Sequence, residues 1–272
     1  MWLLLAWALE RVQIKIGAGT YGSPYCGIGC VDAVNARSAQ APMVYRVLAP
    51  WLIGCAERVA PGVKPYRLTA LYEPLKIGLI ALALWAASEA LGERSALILA
   101  ALLPVTIYFD YWDWAGEMAG LALALTGDLP MVMAGAAIAA LSRPETSPLV
   151  AMTYALVTQD WAGSVMVLIV VGLLWGLVRW RQGGHALYCE RVMWRVNVAD
   201  VTGLLRNRPV YLSEIGMTLG VTALTLAVVL SGRTGWTFPI PLALLASGWL
   251  FARAAETRVF ASCLLWVVML WR

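Results

Sequence analysis

Apolar residues run through this chain in continuous blocks rich in Leu and Ala, without the alternation of a half-buried strand. The blocks fall at about residues 66–91, 95–109, 115–126, 129–142, 147–159, 162–178, 214–231, 237–252 and 259–271. Blocks of this kind predict helices, because a helix satisfies its backbone polar groups within the segment. Crossing a bilayer takes roughly 20 residues. The blocks at 115–126, 129–142 and 147–159 are shorter, and each ends in a Gly, Pro or acidic break, so they read as tilted, re-entrant or packed away from lipid.

The first nine residues, MWLLLAWAL, are apolar but too few to cross. They read as a signal-like start, an interfacial helix, or the remnant of a longer span. No small-residue cleavage site follows, so a cleaved signal peptide is the weaker of these. Residues 17–42 are rich in Gly, Ser, Pro and Ala and read as an extended loop. Over 43–59, Arg46, Glu57 and Arg58 punctuate an apolar face of Val47, Leu48, Trp51, Leu52 and Cys55, which predicts a helix lying in the interface. The polar stretch 179–212 includes a piece that forms an amphipathic surface helix. The expected architecture is all-α. It is a single polytopic membrane domain over 1–272, with about eight to ten membrane segments. A loop and interfacial helix occupy 17–60, core spans 66–178, the polar amphipathic segment 179–212, and C-terminal spans 213–272.

Composition agrees with this class. The chain is 61% hydrophobic and 13% charged, against roughly 45–50% and about 25% in soluble domains. A β-barrel would need alternating segments of about ten residues, which are missing. The single histidine, His185, gives almost no support to a histidine metal site or catalytic triad. The five cysteines show no metal spacing; Cys26 and Cys30, four apart, fit either a disulfide or two free thiols. Nothing in the pattern points to nucleic acid; membrane lipids are the expected surroundings.

Four charged motifs interrupt the apolar blocks: Tyr45-Arg46 in VYRVLAPWL, Asp110 and Asp113 in YFDYWDW, Arg143 and Glu145 in LSRPETSP, and Glu256 and Arg258 in AAETRVF. An even number of apolar spans separates each motif from the next, two, two and then four, which predicts that all four face one side of the membrane. Charges near membrane depth are costly and count as functional candidates.

The order YRVLAPWL, YFDYWD, LSRPETSPLV, ETRVF over roughly 30–165 and 250–270 resembles bacterial polytopic proteins similar to C-type (GT-C) glycosyltransferases. Those enzymes use polyprenyl-phosphate sugars on the outer face of the inner membrane. The resemblance implies Asp32, ahead of the interfacial helix, as the base. It implies Arg46, Arg143 and Arg258 as phosphate clamps. Tyr45 would line the substrate site; Asp110, Glu145 and Glu256 would orient the arginines or bind the sugar and a divalent cation. This chemistry needs a carboxylate to take the acceptor proton and a cation or metal to stabilise the leaving phosphate. Arginine suits the second task through its bidentate fork. The sequence departs from the pattern in its missing first span, its Arg-Pro-Glu-Thr in place of Arg-Glu-Thr, and its short length.

Plainer roles stand beside these. Asp32 fits a turn, Arg46 fits a snorkelling interfacial arginine, Asp110 and Asp113 fit helix N-caps, and Arg143 with Glu145 fits a structural ion pair. Three function classes stay open: a lipid-linked sugar transferase, a transporter of an amphipathic anion, and a non-catalytic membrane subunit. Orientation is contested too. Most arginines lie in loops on the motif side and only Arg94, Arg233 and Arg272 opposite, which by the positive-inside rule puts the motifs in the cytoplasm. The glycosyltransferase resemblance puts them outside.

Overall fold

The computed structural model describes residues 1–21, 34, 37, 47–61, 71–106, 113–183, 194–204, 212–251 and 257–271. Among the described residues there is no β-strand. The helices are α1 (Trp2–Tyr21), α2 (Leu48–Val59), α3 (Tyr72–Leu91), α4 (Glu93–Thr106), α5 (Asp113–Thr126) and α6 (Leu129–Ser142). They continue with α7 (Pro148–Thr158), α8 (Trp161–Gln182), α9 (Trp194–Leu204), α10 (Leu212–Leu230) and α11 (Pro239–Phe251).

Helix α5 is the centre of the molecule: every residue from Asp113 to Leu125 is buried. Small residues allow this. A Cβ on Gly120 would stand 2.7 Å from the Gly135 carbonyl oxygen, and one on Gly116 would collide with Ser142. Gly116 and Gly120, four apart, therefore let α5 and α6 approach at backbone distance, as small residues do between membrane helices. The packing of Gly116 on Ser142 and Gly120 on Gly135 also makes the two helices antiparallel.

Local sequence explains the sharp turns. Helix α3 stops at Gly92, whose φ of 90° suits glycine. The Asp128 carboxylate accepts from the Met131 N–H and caps α6, with a proline in its first turn. The Asp160 carboxylate accepts from the Gly163 N–H and caps α8. Antiparallel helices joined by these turns return the chain to the same end after every second helix.

Two helices, Glu73–Leu91 and Trp161–Gln182, are long and apolar enough to cross a membrane. Shorter apolar elements are Leu129–Ser142, Pro148–Thr158, Ile215–Leu230 and Val259–Trp271. Helix α8 is apolar along most of its length, yet turns much of that surface outward: Leu173 is 70% exposed and Trp180 81%.

Three expectations need correction. The N-terminal apolar stretch does not stop at residue 9, and residues 17–21 are not loop; α1 runs through both. Its charges Glu10 and Arg11 look like a stop in isolation, but they meet Lys76 and Glu73 on α3. Glu10 and Lys76 are both buried, with Nζ 3.1 Å from Oε2. The helix expected over 43–59 needs no correction: it is described as Leu48–Val59, and residues 43–46 lie outside the described residues. Finally, the last block is not one regular helix: Thr257–Cys263 and Val268–Trp271 are 3₁₀ turns flanking a short α turn, Leu264–Val267.

Candidate functional site

Among the described residues, the most concentrated buried polar group lies one turn inside the start of α5. Glu117, 1% exposed, stands between a chain corner and the C-terminal segment. Its Oε2 accepts from Arg143 Nη1 at 2.7 Å and from Ser262 Oγ at 2.7 Å. Its Oε1 accepts from the Thr146 hydroxyl. A carboxylate has room for these donors, since its two oxygens offer about four lone-pair sites. The arrangement ties α5, the α6–α7 corner and the 257–263 turn together at one end of the bundle.

The corner is built for this. Arg143 ends α6, and the Thr146 and Ser147 amides donate to its carbonyl oxygen, both at 3.2 Å. The Ser147 hydroxyl donates to the Pro144 carbonyl. Pro148 then opens α7, where its missing N–H costs nothing. Arg143 and Thr146 thus project to the same carboxylate from one tight turn. Arg143 is 4% exposed, and its Nε stands 3.6 Å from Oε1 of the outward-facing Glu145.

More of the chain converges on this end. The Val47 N–H donates to the Leu141 carbonyl at 2.9 Å. Val34, Val47 and Val178 are fully buried together against Trp51 and Leu141. The Arg181 guanidinium lies 4.8 Å from the Trp51 ring centroid.

Of the residues singled out from sequence, Arg143 and Glu145 are brought together, as an ion pair shared with Glu117. Asp32, Tyr45, Arg46, Asp110 and Glu256 lie outside the described residues. Arg258 falls in the 257–263 turn, with its backbone alone described. Sequence reasoning missed Glu117, the acceptor that organises the site. Its signal was a single carboxylate inside an apolar block, flanked by Gly116 and Gly120. Ser262 carried no signal; its role depends on a contact across 145 positions.

Among the described residues, no three His, Cys, Asp or Glu side chains come together in a way that could hold a metal ion. At the far end, the Asp160 carboxyl is held below the usual carboxylate range, first by the Gly163 N–H and then by the Tyr154 hydroxyl, which donates at 2.8 Å. No family model, curated protein or solved structure matches this chain.

Proposed function

We propose that this chain is a multi-pass integral membrane protein that works as a non-catalytic membrane subunit, with its arginine-bearing end in the cytoplasm. The state of Arg143 carries the reading. A phosphate clamp has to present its fork to the ligand. This guanidinium is buried and donates to Glu117 within a network that Thr146 and Ser262 complete. Such a group braces the bundle rather than waiting for substrate. Membrane embedding is supported by α8, which is long and apolar enough to cross and turns Val165, Met166, Ile169, Leu173 and Leu177 outward. The buried ion pairs fit as well, since charges at membrane depth face the bundle interior and pair.

The second reading is glycosyl transfer from a polyprenyl-phosphate sugar, with Asp32 as base and Arg46 and Arg258 as clamps. One observation favours it. Val34 and Val47, within two residues of Asp32 and Arg46, pack at the same end as Arg143.

Membranes containing the full chain, or its Asp32→Asn variant, would be supplied with a panel of polyprenyl-phosphate sugars and an acceptor extract. The subunit reading expects no transfer above membranes lacking the protein. Transfer by the wild type that Asp32→Asn abolishes would overturn it in favour of the enzyme.

A further inference from the structure

We propose that the C-terminal end of α8, together with α2, is a docking collar for anionic phospholipid headgroups. The proposal rests on the membrane reading and adds a ligand chemistry to one rim of the bundle. The outward apolar face of α8 runs from Val165 through Leu173 to Trp180 and then meets Arg179 and Arg181 in its last turn. Both arginines are set by aromatic rings: Arg179 lies 5.4 Å from the Trp175 centroid and Arg181 4.8 Å from Trp51. Helix α2 buries Ala49, Pro50 and Ile53, and turns Leu52 and Val59 outward beside Arg58. An apolar surface that ends in tryptophans and arginines at one level is the signature of a membrane–water interface.

Charge selects the occupant. Outside the α1–α3 ion pairs, the described side chains reaching the surface at this end include Arg37, Arg58, Arg179, Arg181 and Arg195, against Glu57 and Glu145. At the opposite end, Arg94 and Arg233 are outnumbered by Glu89, Glu93, Asp128 and Asp160 among the described side chains. Guanidinium forks match phosphate oxygens. Because the collar continues a lipid-facing surface, it fits a headgroup anchored in that same leaflet better than a soluble anion.

The full chain would be placed in nanodiscs of phosphatidylcholine, with or without phosphatidylglycerol, and its thermal unfolding midpoint read at low and high salt. Phosphatidylglycerol should raise the midpoint by several degrees, and high salt should remove most of the gain, because exposed charges are screened. Arg179→Gln/Arg181→Gln should lose most of the rise, whereas Arg94→Gln, at the opposite end, should keep it. If the double variant fails to fold, Arg58→Gln should lose part of the rise. Equal midpoints in the two discs, an undiminished rise in the collar variants, or the same rise from inorganic phosphate added to phosphatidylcholine discs would overturn the proposal. Failure of the membrane reading shows separately, as release of the chain from membranes by alkaline carbonate.

Discussion

The two ends of the bundle are closed by different physics. At the acidic end the chain turns through locally coded stops: Gly92, the Asp128 cap after Gly127, and the Asp160 cap of α8. At these three stops each partner lies within a few residues of its donor or acceptor, and the long-range contact beside them, Arg233 to the Leu270 carbonyl, involves no buried carboxylate. At the arginine end closure is long-range. Glu117 reaches Arg143 across 26 positions and Ser262 across 145, and Val47 reaches Leu141. A cap can be replaced by water at modest cost. A buried carboxylate whose partner is removed has no such substitute. The arginine end should therefore be the more fragile of the two.

The largest effect should come from splitting the Glu117–Arg143 pair. Arg143→Met leaves Glu117 buried without its cation, a loss of roughly 3–5 kcal/mol by analogy with other buried pairs. The paired change Glu117→Leu/Arg143→Met should cost less than either single substitution, because it leaves no uncompensated charge. Unfolding midpoints of the three variants in detergent form the cycle. Additive losses would mean that the two side chains do not act together.

A smaller effect belongs to the acidic end. Asp160→Ala removes the α8 cap and the acceptor of the Tyr154 hydroxyl. The folded carboxyl titrates below its unfolded value, so its contribution is present above the ordinary carboxylate pKa and lost as pH falls through the lowered one. The gap in midpoint between wild type and Asp160→Ala should thus be widest near neutrality and close below about pH 4. A gap that grew on acidification would contradict the assignment.

This contrast also explains what the sequence made legible. The block at 129–142 coincides with Leu129–Ser142 because Asp128 and Pro130 open it and Arg143-Pro144 close it. The 162–178 block became Trp161–Gln182 for the same kind of reason, an aspartate before it and Gly183 after it. Helix α1 was not legible, because Glu10 and Arg11 read as an ending until Lys76 and Glu73 supply their partners. The 3₁₀ winding of Thr257–Cys263 left no mark in its composition. At the site, Arg143 and Glu145 stood out as charges between apolar blocks. Glu117 was hidden in one, and its meaning depends on which helices pack around it.

The proposed arrangement puts the two ends on opposite sides of a membrane, with the arginines in the cytoplasm. Two single-cysteine proteins test it. One keeps only Cys55, which is exposed on α2 at the arginine end. The other carries Arg94→Cys, at the opposite end, in a cysteine-free background. In intact cells an impermeant thiol reagent should label position 94 and spare Cys55 until the membrane is opened. The reverse pattern would put the arginine end outside and favour the glycosyltransferase reading. Labelling of both, or protection of both, would contradict the two-ended membrane arrangement itself.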